Sequence, residues 1–155
     1  MKRILFVCLG NICRSPAADG IMQHIVRQRG LGGDLVIDSA GTYAGHTGEL
    51  PDARMRRAAS RRGYDLTHRA RQIREEDFAG FDMIVVMDDM NYENVHRLAP
   101  SREDARKIFR MREFFRRHPG WSYVPDPYYE GAEGFELVLD MLEDGCEGIL
   151  EYLGN

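Results

Sequence analysis

A short apolar run, Ile4-Leu5-Phe6-Val7, passes directly into the nine residues Cys8–Pro16 (CLGNICRSP) and from there into a helical pattern. Four branched or aromatic residues in succession read as a buried strand. Ser15-Pro16 reads as an N-cap followed by the proline that suits a first helical position. A strand-loop-helix junction of this kind gathers backbone N–H groups at the positive end of a helix dipole, a favourable place for a phosphate-like anion. Into that place the sequence puts one thiol, Cys8, and one guanidinium, Arg14, with five residues between them.

The remainder of the chain alternates the same two patterns. Ile21, Met22, Ile25 and Val26 recur at helical spacing up to a stop at Gly30, and Leu35-Val36-Ile37 forms a second strand ending at Asp38-Ser39. A glycine-rich loop, 41–48, leads to Pro51, which opens a helix through Met55, Ala58 and Ala59 to Gly63. Met83–Met87 (MIVVM) is continuously apolar, as a strand covered on both faces should be, and Asp88-Asp89 caps a helix that Pro100 stops. Lys107-Ile108-Phe109 is a fourth, weaker strand. After a proline-containing loop, 118–127, the stripe Phe135, Val138, Leu139, Leu142, Cys146, Ile149 and Leu153 marks a long final helix.

Strands alternating with helices predict an α/β fold, a single three-layer domain over 1–155. Its four-stranded parallel sheet carries helices on both faces and the anion loop after the first strand. Cys8, Ser39 and Asp88 each follow a strand and so belong to the carboxyl end of the sheet, where ligands bind in such folds.

Composition narrows the function classes. The opening apolar run is too short for a signal peptide and no run approaches membrane-spanning length, so a cytoplasmic location without membrane attachment is expected. Three cysteines do not make a secreted disulfide framework. The net charge of −4 is uneven: nine acids and no Lys or Arg lie from Asp126 onward, against 21 basic and 16 acidic residues before it. Arg54, Arg56, Arg57, Arg61 and Arg62 cluster, yet only Tyr64 stands near them. A solvated helix face is the better reading, and no nucleic-acid partner is expected. The excess of Arg over Lys points to a bacterial genome.

Within the loop, a thiol attacks only as thiolate, and N–H donors, a helix N-terminus and Arg14 all favour that form. The planar fork of Arg14 can hold two phosphate oxygens and stabilise the equatorial oxygens of an in-line transition state. Ser15 can donate a hydrogen bond to the thiolate, while Gly10 and Asn11 tolerate the backbone angles a converging loop needs. A zinc pair from Cys8 and Cys13 lacks further ligands at suitable spacing, and no Gly-Lys-Ser/Thr makes this a nucleotide-binding loop. A catalytic metal or cofactor is not called for.

CLGNICRSP resembles the signature of the low-molecular-weight protein tyrosine phosphatases. VIDSAGT (36–42), THRARQI (67–73), VVMDDMN (85–91) and VPDPYY (124–129) resemble that family's successive blocks in order, over nearly the whole chain. The resemblance implies hydrolysis of phosphotyrosine through a cysteinyl phosphate, with Cys8 as nucleophile, Arg14 binding phosphate and Asp126 as general acid and then base. It implies a phosphate loop of Leu9, Gly10, Asn11, Ile12, Cys13 and Ser15, with Ser39 and His68 supporting Asn11. Cys13 matches a second loop thiol able to pair with Cys8 under oxidation, or is a small core side chain. Asp88 matches an acid at the active-site face, or caps its helix. Tyr128 and Tyr129 would wall the pocket or pack at a helix entrance.

Members of that family carry a Trp or Tyr where this chain has Gly45, with Tyr43 and His46 beside it, so that wall of the pocket is expected to differ. Ile12 stands where related arginine phosphatases have Thr, and its bulk better suits a phenyl phosphate. Arsenate reductases of this fold need further cysteines about seventy residues after the loop, and Cys146 lies on the last helix instead. The expected partners are phosphotyrosine proteins, a bacterial tyrosine kinase being one candidate, and the chain is expected to be a monomer. The rival of another class is a non-catalytic module that binds phosphorylated proteins.

Overall fold

The structure, a computed structural model, describes residues 1–128 and 130–154. Strands β1 (Lys2–Cys8), β2 (Leu35–Gly41), β3 (Met83–Val86) and β4 (Ile108–Arg110) form one parallel sheet in the order β2-β1-β3-β4. Around it lie α1 (Arg14–Gln28), α2 (Ala53–Ser60), α3 (Asp77–Gly80), α4 (Asp89–Leu98), α5 (Arg102–Ala105) and α6 (Ala132–Tyr152), with a 3-10 turn at Met111–Phe114. No helix is long and apolar enough to cross a membrane among the described residues.

The two-residue period of the strands sorts the core. Ile4, Phe6 and Cys8 of β1 join Val85 of β3 in a cluster with α1, α2 and α6, whereas Leu5 and Val7 join Ile84 and Val86 in a second cluster with Phe78 of α3 and Val95 of α4. Because helices cover both faces, Ile4–Cys8 of β1 and all of β3 are apolar without interruption. Burying a side chain such as the fully enclosed Phe6 contributes about 1.5–3 kcal/mol. The strand order reverses direction at β1, which opens a crevice beyond the carboxyl ends of β1 and β3.

Several boundaries differ from the sequence reading, for local physical reasons. Ser15 is not the N-cap of α1. Cys13 takes that position without a side-chain bond, and Ser15 lies inside the first turn with its hydroxyl drawn into the loop interior. Pro51 does not open α2; Asp52 caps it, accepting from the N–H groups of Arg54 and Met55. β2 continues past Ser39 to Gly41, because its pairing with β1 runs to Cys8. The elements α3, α5 and the 3-10 turn span four residues each, too short to show a helical period in sequence.

Candidate active site

Cys8 ends β1 at the crevice, 2% exposed. The N–H of Asn11 points at its Sγ from 3.3 Å, and the Ser15 hydroxyl lies 3.0 Å from the same sulfur. Asn11 has φ of +56°, the left-handed region that Asn enters more readily than other side-chain-bearing residues. That turn folds the loop back over the thiol. Gly41, at the end of β2, makes room for it: a Cβ there would lie 2.7 Å from the carbonyl oxygen of Leu9 and 3.0 Å from the nitrogen of Asn11. Asp52 N–H donating to the Ile12 carbonyl (2.7 Å) ties the loop to α2.

Asn11 is held through all four hydrogen-bonding positions of its amide. Nδ2 donates to Ser15 Oγ (2.8 Å) and Ser39 Oγ (3.1 Å), while Oδ1 accepts from the Arg71 N–H (3.0 Å) and faces His68 Nε2 at 3.1 Å. With Oδ1 an acceptor, Nε2 of His68 is the donor in that contact. Its Nδ1 looks toward Asp38 (3.4 Å) and Asp19 (3.7 Å). The structure therefore brings Ser39 and His68 to Asn11, and adds Arg71, which sequence reasoning missed although it stands inside the THRARQI block. The Ser15 hydroxyl, accepting from Asn11, has its own hydrogen to share between Cys8 Sγ and the Ala40 carbonyl (3.2 Å). A thiolate at Cys8 would draw it to sulfur.

Arg14, also 2% exposed, leaves the first turn of α1 toward the crevice. Nη1 donates to Asp88 Oδ2 (2.7 Å) and the Val124 carbonyl (3.0 Å), and Nη2 stands 3.7 Å from Asp126 Oδ2. Burial works against its charge, but Cys8, the Asp88 carboxylate and Asp126 outweigh that and hold the guanidinium protonated above the usual arginine range. Asp88 resolves its two readings by doing both: Oδ1 caps α4 through Asn91 N–H (2.8 Å) while Oδ2 orients Arg14. The Val124 carbonyl has no signal in sequence, since any residue supplies one.

Cys8, Cys13 and Arg14 line a cleft of about 290 Å³ together with Leu9, Gly10 and Ile12. Asp126 stands at the rim, its side chain 38% exposed and its Oδ1 accepting from Tyr128 N–H (3.0 Å). Burial first, then the negative charges of Asp52 and Cys8, push the Cys13 thiol well above the ordinary range, so it stays protonated; all three cysteines are free. Tyr43 and His46 also line the cleft and meet edge to face at 5.8 Å. Gly45 itself does not line the cleft. A Cβ there would come within 2.1 Å of the Tyr43 ring, so the ring occupies the space that a side chain at 45 would need. Tyr43, expected beside Gly45 at that wall, brings its ring to the cleft from two residues upstream. Tyr128 lines the cleft as well, and Tyr129 lies outside the described residues.

The arginine cluster of α2 is only partly a solvated face. Arg54 donates to the Tyr128 carbonyl (2.9 Å) and to Asp52, and Arg62 clamps Glu136, Asp140 and Glu143 of α6. One group of potential metal ligands comes together among the described residues, Asp19, Asp38 and His68. It borders a separate polar hollow, and Asp38 is already engaged by Arg71 (3.1 Å).

The chain is similar to known proteins in sequence and fold. The family model described as low molecular weight phosphotyrosine protein phosphatase matches residues 3–155. A Synechocystis protein named for that family is 48% identical over 153 residues, covering 99% of this chain and 97% of the relative. A crystal structure of an Entamoeba histolytica protein tyrosine phosphatase, with Hepes in its active site, superposes with a TM-score of 0.95 at 41% identity over 99% of this chain and 97% of that one. A Drosophila arginine phosphatase superposes with a TM-score of 0.90 at 32% identity over 100% and 99%. With the loop, the crevice and the sheet from Arg3 onward inside the matched span, the chain belongs to the low molecular weight phosphotyrosine protein phosphatase family.

Proposed function

We propose that the chain hydrolyses phosphotyrosine in proteins, and small aryl phosphates, through a cysteinyl-phosphate intermediate. The observation that supports this best is the convergence of the Cys8 thiol, the Arg14 guanidinium and the Asp126 carboxyl on one cleft. Cys8, as thiolate, attacks phosphorus in line as the bond to the phenolic oxygen breaks. The leaving phenoxide has a conjugate-acid pKa of about 10 and is a poor leaving group unless protonated. Asp126 gives it that proton, and Arg14 with the loop N–H groups carries the charge of the equatorial oxygens. Asp126 then takes a proton from water, which attacks phosphorus and breaks the S–P bond. Phosphate leaves and the thiolate returns, with Ser15 hydrogen-bonded to sulfur.

Ile12 lines the cleft and favours a flat aryl ester over a guanidinium phosphate. The partners are phosphotyrosine proteins, a bacterial tyrosine kinase among the candidates, and the enzyme works as a cytoplasmic monomer without a metal. The deciding experiment is phosphate release from an aryl phosphate, a phosphotyrosine peptide and phosphoarginine, by the wild type and by Cys8→Ser and Asp126→Ala. Removing the nucleophile should lower turnover by about a million-fold. Full activity in the Cys8→Ser protein would sink the mechanism. Preference for phosphoarginine would move the reading to the activity in the Drosophila relative's name, and no release of phosphate from any compound would leave a binding module.

A further inference from the structure

Beside the cleft lies a second hollow of about 260 Å³, between α2 and the start of α6. One wall carries Arg54, Arg57 and Arg61, and Ala58 and Phe135 lie beneath them. Spacings of three and seven place Arg54, Arg57 and Arg61, the last being the helical C-cap of α2, on one face. Arg54 joins the two hollows. Its guanidinium lies 4.9 Å from the Phe135 ring centre and 5.3 Å from that of Tyr128, and Tyr128 lines the cleft.

The charges around this hollow differ in availability. Arg54 is matched by Asp52 (2.9 Å), and Glu136 on the far wall by Arg62 (2.7 Å). The guanidinium groups of Arg57 and Arg61 are exposed and have no hydrogen-bond or ion-pair partner among the described residues, whereas Glu130 is the remaining acid on the rim. Two open guanidinium forks against one carboxylate leave a positive excess directly outside a site that takes a dianion. An arginine fork pairs with a carboxylate in two parallel hydrogen bonds, so the complement is an acidic side chain.

Resting on the reading of the cleft as a phosphotyrosine site, we propose that this hollow binds acidic residues flanking the phosphotyrosine, making acidic phosphotyrosine segments the preferred substrates. At 1.5 Å per residue, Arg57 and Arg61 lie about 4.5 and 10 Å along the helix from Arg54. An extended peptide advances about 3.3 Å per residue, so Asp or Glu within about four residues of the phosphotyrosine reaches them. Ala58 and Phe135 give the peptide an apolar bed.

The test compares two phosphotyrosine peptides, one flanked by Asp and Glu and one by Ser and Asn, together with a small aryl phosphate. Wild type is set against an Arg57→Gln, Arg61→Gln double variant at low and high salt. Two exposed ion pairs should favour the acidic peptide by about five-fold in kcat/KM at low salt, through KM rather than kcat. The preference should shrink with salt and disappear in the double variant, while aryl phosphate turnover stays unchanged and certifies the fold. An equal rate for both peptides in the wild type, or a preference that survives the double substitution, overturns the proposal. Fluorescence anisotropy of both peptides on the Cys8→Ser protein separates this from the catalytic reading. Equal binding, or binding of neither, sinks the docking site, whereas absent phosphate release by the wild type sinks only the enzyme.

Discussion

From Cys8 to Ser15 only Leu9 and Gly10 keep appreciable exposure, and Asn11 engages every hydrogen-bonding position of its amide. The segment that brings Asp126 is fastened at a distance from its acid. Asp144 of α6 accepts from the N–H groups of Arg116, Arg117 and His118, and Val124 is tied to the Met87 carbonyl (2.9 Å) and to Arg14. Asp126 itself stays at the rim. In the proposed mechanism the difference follows from the two tasks. Stabilising charge that develops on phosphate oxygens requires donors already aimed, in a site that need not reorganise. A group that must give a proton, regain it from water and do so each turnover needs contact with solvent.

Breaking the exposed half should show in the chemistry while leaving the fold intact. Asp126→Asn is expected to lower kcat for a phosphotyrosine peptide by about 10²- to 10⁴-fold, with a smaller loss for an aryl phosphate whose phenolate leaves readily. Equal losses for both leaving groups would show that Asp126 is not the proton donor. Breaking the buried half should instead appear in stability. Asn11→Ala strands the donors and acceptors of Ser39, His68 and Arg71 and should cost about 2–3 kcal/mol in chemical denaturation. A variant as stable as wild type would mean the loop is held by its backbone alone.

A smaller effect is expected where α2 meets the loop. Burial alone would raise the Asp52 carboxyl, but Arg54 and the capped N–H groups outweigh it and hold the group below the usual carboxylate range. The folded state therefore favours the carboxylate. Its contribution is present above about pH 4, the ordinary Asp value, and is lost as pH falls through the depressed one. Asp52→Ala should cost about 1 kcal/mol at neutral pH. In thermal melts the gap from wild type should narrow toward pH 3; a gap of constant size would remove the electrostatic account. The smallest change belongs to the aromatic wall. Gly45→Ala must displace the Tyr43 ring and should raise KM for aryl phosphates by about three- to ten-fold. An unchanged KM would show that Tyr43 does not contact the substrate ring.

Legibility followed the range of the interactions. The alternation of strands and helices, the parallel sheet and the span from Cys8 to Arg14 rest on period-two and period-3.6 patterns and on a contiguous motif, all local in sequence. The likeness of the later blocks to a family pointed to Ser39, His68 and Asp126, which no spacing rule connects. Ser15 was misread as a cap because a Ser-Pro pair looks the same whether its hydroxyl faces a helix end or a thiol. Arg54 was grouped with its neighbours on α2 because charge clustering does not tell a residue at the rim of a cleft from one in solvent.

The chain's order of residues by itself determined that a thiol and a guanidinium would share an anion loop at the carboxyl end of a strand, since backbone geometry between a strand and a helix leaves few alternatives. Which groups surround that loop was decided by tertiary packing. Asp88 reaches Arg14 because β3 lies beside β1, Asp126 arrives because Val124 is tied to both Met87 and Arg14, and Tyr43 fills the wall because position 45 has no side chain. Each is a contact between segments whose meeting depends on the burial of the whole core. No single stretch of sequence carries that information.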